Sequence, residues 1–328
     1  LLILVLTNDL NAQPPVYLPV SIIGVNEGML DEGNYFCFKD SRDLLWISSY
    51  SGLHQFDGKN MKAYRSVMND TTSILGNEVV SHIVEDEDQN IWCGSEKALS
   101  CYLRQSGTFL NFSVTGGEID EYRIQGIDGK GNLWVTFKGE IYSFDPETEQ
   151  FQPKAKIELG RINKESVLMT EFQMNSYDDV RRIFSYGSYL DDPGLEIHEF
   201  ENDILIDQQI YFDSSAKQSL IIRDIFPLGD TMLLIATLQG LFEFDLRDGT
   251  VLPLLSNTDY EGIGCTAISP FSDSSFLISF ISAQYIEYNF EHKNIAESYV
   301  LTLGDQKLTS IPKYSNVDED GGIYIHLE

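Results

Sequence analysis

Tyr35-Phe-Cys-Phe-Lys-Asp40-Ser-Arg-Asp-Leu-Leu-Trp46-Ile-Ser-Ser-Tyr50-Ser-Gly52-Leu-His-Gln-Phe56-Asp57 is the stretch whose reading decides the fold. It runs as an apolar strand, an acidic turn, a second apolar strand carrying Trp, a short turn closed by Gly-Leu, and a third strand ending on an aromatic and Asp. Each segment is of strand length, and each break carries the Asp, Ser or Gly chemistry of a tight hairpin.

Moving outward, the same frame returns. Val80-Ser-His-Ile-Val-Glu-Asp-Glu-Asp-Gln-Asn90-Ile-Trp92-Cys-Gly94 is a second copy, ending near Tyr102; Ile127-Asp-Gly-Lys-Gly-Asn132-Leu-Trp134-Val with Ile141-Tyr-Ser-Phe144-Asp145 is a third. Met232-Leu-Leu234-Ile-Ala-Thr-Leu-Gln-Gly240-Leu-Phe-Glu-Phe244-Asp245 aligns with the first copy without a gap, and Phe276-Leu277-Ile-Ser279 leading to Tyr288-Asn289 aligns with one inserted residue. Trp46, Trp92 and Trp134 stand 46 and 42 residues apart, and the next marker, Leu234, lies 100 further on. That gap holds two units, so counting places a degenerate copy near Val180-Arg-Arg-Ile-Phe184. A period in the forties with four short strands per unit is the signature of β-propeller blades. The expectation is therefore an all-β propeller of four-stranded antiparallel blades, about seven units with the last truncated. The last copy, Val317-Asp-Glu-Asp-Gly-Gly322-Ile-Tyr324-Ile-His, stops at Glu328 midway through its blade, so residues 13–328 read as one propeller domain incomplete at its C-terminus.

Within the second blade, Val79 to Val84 reads as the inner strand, Ile91 to Ser95 as the second, Leu99 to Arg104 as the third and Thr108 to Ser113 as the outer one. A Trp recurring at one strand position reads as an inter-blade packing residue, because its large area fills the gap between twisted sheets.

Lys+Arg 22 against Asp+Glu 51 gives a formal net charge of −29 over 328 residues, a field that repels nucleic-acid backbones and anionic lipid surfaces. Leu1-Leu-Ile-Leu-Val-Leu6 followed by Thr7-Asn-Asp9 and Leu10-Asn-Ala12 reads as the tail of a secretory signal peptide, residues 1–12, with a buried strand as the alternative. No later run reaches the ~18 apolar residues of a membrane span. Cys37, Cys93, Cys101 and Cys265 are too few and too scattered for a disulfide framework or a Cys-x-x-Cys site; they read as buried small hydrophobes, with a Cys93–Cys101 bridge as the alternative.

The sequence offers no catalytic constellation. His54, His82, His198, His292 and His326 include no pair at metal-ligand spacing, and no Gly-x-Ser-x-Gly elbow occurs. Gly129-Lys-Gly131 joins two strands rather than a strand and a helix, so it is a hairpin turn and not a dinucleotide loop. Asp86-Glu-Asp88-Gln-Asn90 opens like a calcium loop, but it lacks the central Gly and has Lys97 where the bidentate Glu would fall. No metal or cofactor is expected.

Three motifs carry a resemblance: Asp128-x-x-Gly-Asn-Leu-Trp-Val135, Trp46-Ile-Ser-Ser-x-x-Gly-Leu-x-x-Phe-Asp57, and Leu75-Gly-Asn-Glu-Val-Val-Ser-His-Ile-Val-Glu-Asp86. The chain resembles the two-component regulator propeller repeats over nearly all its length after Val20, with departures at 150–215. That resemblance implies a periplasmic sensor of a hybrid two-component system, tethered to the inner membrane by a downstream segment and recognising oligosaccharides released from glycans. A homodimer through the full-length sensor is compatible with it. The leading reading is thus a non-catalytic extracytoplasmic sensing module; the alternatives are a propeller lyase or glycosidase, and a protein-interaction scaffold.

In this layout the turns joining second and third strands share one rim with the blade-to-blade connections, and the acidic turns lie on the other. The first rim carries Tyr50, Glu96, Lys97, Lys138, Gln239 and Gln284, with longer connections at 66–78 and 154–178. An aromatic with mixed polar groups and two cations suits a sugar, especially an anionic one; ordinary solvated hairpin turns, or partner contact in a homodimeric sensor, are the alternatives.

Overall fold

The computed structural model describes residues 15–31, 33–114, 121–158, 170–177, 180–187, 194–212, 220–310, 312–317 and 323–327. The expected leader at 1–12 lies outside the described residues. Strand β1 (Val16–Pro19) precedes a single 3-10 turn at Val25–Glu27, the one helical element among the described residues. Blade one follows as β2 (Asn34–Lys39), β3 (Leu45–Ser49), β4 (Gly52–Phe56) and β5 (Met61–Tyr64). Blade two is β6 (Val84–Glu85), β7 (Ile91–Gly94), β8 (Leu99–Leu103) and β9 (Thr108–Phe112), and blade three is β10 (Arg123–Ile127), β11 (Leu133–Phe137), β12 (Glu140–Asp145) and β13 (Gln150–Lys156). Blade four is β14 (Thr170–Tyr177), β15 (Val180–Gly187), β16 (Gly194–Glu201) and β17 (Ile204–Tyr211); blade five is β18 (Ile222–Leu228), β19 (Met232–Thr237), β20 (Gly240–Asp245) and β21 (Val251–Pro253). Blade six is β22 (Cys265–Ser272), β23 (Ser275–Phe280), β24 (Tyr285–Asn289) and β25 (Asn294–Leu303), extended by β26 (Gln306–Lys307), before the hairpin β27 (Pro312–Val317) and β28 (Ile323–Leu327).

Each blade is an antiparallel sheet in chain order, and β1 adds to the outer side of blade six by pairing parallel with β25. Six full blades are therefore present where the sequence predicts about seven units. Among the described residues the seventh unit is the two-stranded sheet β27–β28, which packs between β22 of blade six and β2 of blade one.

The second strands are buried throughout in blades one, two, three and six, because each is covered on both faces by the neighbouring blades. Outer strands β13, β17 and β21 are mostly exposed. The Trp residues pack between blades as expected: Trp46 with Tyr102 and Phe109 of blade two, Trp92 with Phe144 of blade three, Trp134 with Phe200 of blade four. The Gly-Leu signature also has a steric cause. Gly52 sits at φ 138, and a Cβ there would lie 2.3 Å from the Tyr64 carbonyl oxygen of the outer strand.

One sequence expectation needs correction, and one alternative falls away. The inner strand of blade two is not a continuous Val79–Val84 strand; β6 has two residues, and only the bridge Val79–Ser95 continues it. The reason is a side chain: the Gly94 amide donates to Ser81 Oγ at 2.6 Å in place of a backbone carbonyl. Cys93 and Cys101 are free thiols on opposite faces of their sheet, Cys93 pairing with Ser100 and Cys101 with Trp92. One packs toward blade one and the other toward blade three, so no bridge can join them.

Candidate functional site

The acidic turns are structural. Asp40, Asp86 and Asp128 each accept the indole N–H of the Trp six residues on, at 2.6, 2.8 and 3.1 Å. Their second oxygens hold the turn: Asp40 Oδ1 accepts the Arg42 and Leu44 amides, Asp86 Oδ1 the Asn90 amide, and Asp128 Oδ1 the Lys130 and Asn132 amides. Burial would raise the carboxyls of Asp40 and Asp128, but these hydrogen bonds outweigh it and hold both below the usual carboxylate range. An arginine from the next blade completes two of the units. Arg104 Nη2 lies 2.5 Å from Asp40 and over the Trp46 ring, while Arg181 pairs with Asp203, lies 3.5 Å from Asp128 and covers the Trp134 ring. Among the described residues no group of three or more His, Cys, Asp or Glu stands together to hold a metal ion.

The opposite rim carries the six residues singled out in the sequence. Tyr50 lies in the β3–β4 turn, Glu96 and Lys97 between β7 and β8, Lys138 between β11 and β12, Gln239 between β19 and β20, and Gln284 just before β24. They are thus spread over blades one, two, three, five and six rather than gathered at one point. Tyr50, Lys138 and Gln239 are exposed; Glu96, Lys97 and Gln284 are half-buried. Several have structural duties. Glu96 accepts the Asn77 amide at 3.2 Å and the Glu78 amide at 3.0 Å, which fixes the long connection before blade two. The Lys97 amide donates to Ser95 Oγ, Gln239 Oε1 accepts the Ile221 amide at 3.3 Å, and Gln284 Oε1 accepts the Ser282 hydroxyl at 2.8 Å.

The sequence reading missed Asp31, on the connection entering blade one. A Cβ placed on Gly33 would lie 2.3 Å from Tyr50 Cδ2 and 3.3 Å from Asp31 Oδ1, so ring and carboxylate border the same small space. Asp31 Oδ2 accepts the Ser49 hydroxyl at 3.3 Å, and Asp31 Oδ1 is buried with no hydrogen-bond partner among the described residues. Asp-x-Gly before an inner strand is a weak signal, which acquires meaning only once Tyr50 is known to fold over that glycine.

The histidines are dispersed. His54 is buried and accepts the Leu30 amide on Nε2 at 3.2 Å; burial lowers its pKa. His82 lies against Phe36 with ring centroids 3.9 Å apart and tilted by 36°, and burial, with Arg123 nearby, pushes it down to about 4. His198 in blade four has Nε2 3.1 Å from the Lys156 carbonyl oxygen and 3.2 Å from Glu196. The His292 side chain is exposed, and that of His326 lies outside the described residues.

The fold can be set beside known structures. No family model matches the chain, and no curated relative does. The extracellular domain of BT4673 from B. thetaiotaomicron, a one-component or hybrid two-component system, superposes with TM-scores of 0.62 and 0.58 in two structures, at 14% and 15% identity. Those matches cover 90% and 89% of this chain and 37% and 36% of the other. PorZ, a surface component of the type-IX secretion system of Porphyromonas gingivalis, gives 0.64 at 14% identity over 94% of this chain and 47% of its own. The WD40 domain of Neurospora crassa Pan2 gives 0.61 at 9% identity over 92% of this chain and 90% of that one. The chain thus spans a little over a third of the BT4673 domain and just under half of PorZ, and the shared property is the propeller.

Proposed function

We propose that this chain is the non-catalytic, extracytoplasmic sensing module of a bacterial signalling protein of the two-component type, and that it recognises glycan-derived oligosaccharides on the rim formed by the second-to-third-strand turns. The observation that carries the reading is the exposed Tyr50 ring, which stands beside the Asp31 carboxylate over Gly33. A ring face beside a carboxylate acceptor is the chemistry that binds a sugar, since the apolar face of a pyranose stacks while its hydroxyls donate. Lys97 and Lys138 add cations for acidic sugars, and Gln239 and Gln284 add amides. Glu96 acts indirectly, by shaping the connection above its turn. Likeness to the extracellular domain of BT4673 supports a sensor over an enzyme. Among the described residues no helix is long and apolar enough to cross a membrane.

The test is calorimetric titration of the chain with a panel of glycan fragments, repeated on Tyr50→Ala/Lys97→Ala/Lys138→Ala. The reading expects at least one fragment to bind, with a tenfold or greater loss in the variant. Unchanged affinity moves the site elsewhere. A second reading, an interaction scaffold, rests on Ile204, Ile206 and Ile210, exposed at 68, 51 and 44% on the edge strand β17. It gains ground if no fragment of the panel binds.

A further inference from the structure

A cavity of about 230 Å³ lies between blades five and six. Leu228, Met232 and Leu234 wall it from blade five, and Tyr288 and Phe290 from blade six. Leu228 and Met232 flank the turn between first and second strands, and Phe290 opens the turn between third and fourth, so the cavity belongs to the rim opposite Tyr50. Glu243 and Lys293 also line it and pair with each other at 2.6 Å, tying the two blades together. Lys293 is 58% exposed in its side chain and Glu243 17%, which sets the lysine on the solvent side of the pair.

One polar group in this apolar wall is unaccounted for. Tyr288 is 1% exposed, and its hydroxyl has no hydrogen-bond partner among the described residues. A buried phenol without a partner forgoes about 1–3 kcal/mol, so such a group in a native structure calls for an explanation: strain, an ordered water or a bound ligand. Burial and the neighbouring Glu243 raise the Tyr288 hydroxyl to about 12, so it keeps its proton and can donate or accept. Two features fix the ligand class. Glu243 disfavours an anion, and its carboxylate is already engaged by Lys293; the rest of the wall is aliphatic or aromatic. A cavity of roughly 150 Å³ with apolar walls holds a benzene-sized guest, so the larger space here suits a bicyclic one.

We propose that the cleft between blades five and six is a second binding site, for an uncharged bicyclic or branched apolar small molecule bearing one hydrogen-bonding group directed at the Tyr288 hydroxyl. The site is independent of the sugar-binding reading: it uses different blades, the other rim and a different ligand chemistry. Occupancy would brace blade five against blade six, as the Glu243–Lys293 pair already does at the surface.

The experiment uses two probes of the same shape, indole and indene, of which only indole carries an N–H group. Binding to the 328-residue chain is followed by ligand-observed magnetisation transfer and by calorimetry. The three tryptophans lie in blades one to three and therefore leave the cleft spectroscopically clear. The expected result is that indole binds about tenfold more tightly than indene, that Tyr288→Phe erases this preference while keeping indene binding, and that Leu254→Phe, which fills the space from a lining position, abolishes both. If Leu254→Phe does not fold, Leu228→Phe serves in its place, with thermal melting as the folding control. Absence of binding by both probes, equal affinities in the parent, or binding that survives the filled cavity would each overturn the proposal.

Discussion

Arg104 Nη2 stands 2.5 Å from Asp40 Oδ2, with the two side chains 7% and 0% exposed, and that same oxygen accepts the Trp46 indole N–H. Residues 64 apart in sequence and on different blades thus form one buried ion pair. The same arginine reaches Glu85 at 3.0 Å, so it ties the turn of blade one to the inner strand of blade two. Removing one partner of such a pair strands the other charge in the interior. Arg104→Met should therefore destabilise the chain by about 3–5 kcal/mol, whereas Asp40→Asn combined with Arg104→Met should recover part of that loss. Urea unfolding of the two single variants and the double variant checks it; additive losses would mean that the contact carries no coupling energy.

Two glycines set a sharper steric limit. A Cβ on Gly94 would fall 1.7 Å from the Tyr122 carbonyl oxygen, and one on Gly52 would fall 2.3 Å from that of Tyr64, with a positive φ in addition. Neither neighbour is a flexible side chain that can move aside. Gly94→Ala and Gly52→Ala are each expected to cost about 3 kcal/mol or more, measured as lowered urea midpoints. A cost below about 1 kcal/mol for Gly94→Ala would contradict the packing described between blades two and three.

Acid should weaken the fold before its carboxylates titrate. His82 falls from 6.5 to about 4 on folding, and burial moves His54 the same way. Between about pH 6.5 and 4 the unfolded chain takes up a proton that the folded chain refuses, so stability falls as pH drops through that window and is complete above it. For His82 the expected loss is about 2 kcal/mol, allowing for the partial exposure of the ring. The turn aspartates Asp40 and Asp128, held below 3.8, contribute their own loss only at lower pH. Urea midpoints at pH 7.5, 5.5 and 4.5 give the slope, and His82→Gln should flatten it; an unchanged slope in the variant would place the effect on other groups.

The four cysteines should behave as inert, unbridged thiols. Burial pushes Cys37 up to about 11 and Cys93 up to about 12, and raises Cys101 and Cys265 further, so the reactive thiolate is scarce at neutral pH. Intact-mass analysis after alkylation should find no label on Cys93, Cys101 or Cys265 in the folded chain and four labels after denaturation. A Cys93–Cys101 disulfide would contradict the register of blade two.

What the sequence disclosed follows from what is local in it. The Asp, Trp and Gly-Leu spacing is internal to one hairpin pair, so blades one, two and three could be read directly, and blades five and six by the same frame without Trp. Blade four was placed by counting alone. It does lie there, with β15 at Val180–Gly187, but its four strands of eight residues each depart from the short-strand frame. The fraying of blade two's inner strand turns on one hydroxyl, Ser81, whose competition with the backbone leaves no periodic trace. The parallel pairing of β1 with β25, and the reach of Arg104 and Arg181 across blades, join distant positions and had no local signature. At the candidate rim the turns themselves were legible from spacing. The partnership of Asp31 with Tyr50 was not, because it depends on how the ring folds over Gly33.

The central claim, that ligand is met on the rim of the second-to-third-strand turns, is tested most directly by hydrogen exchange read by mass spectrometry, with and without a saturating glycan fragment from the calorimetric panel. The account predicts slowed exchange in peptides covering Asp31 to Ser51, Ser95 to Ala98 and Phe137 to Glu140, with little change at the acidic turns Asp86 to Asn90 and Asp128 to Asn132. Protection confined to those acidic turns, with the Tyr50 and Lys138 peptides unchanged, would contradict it.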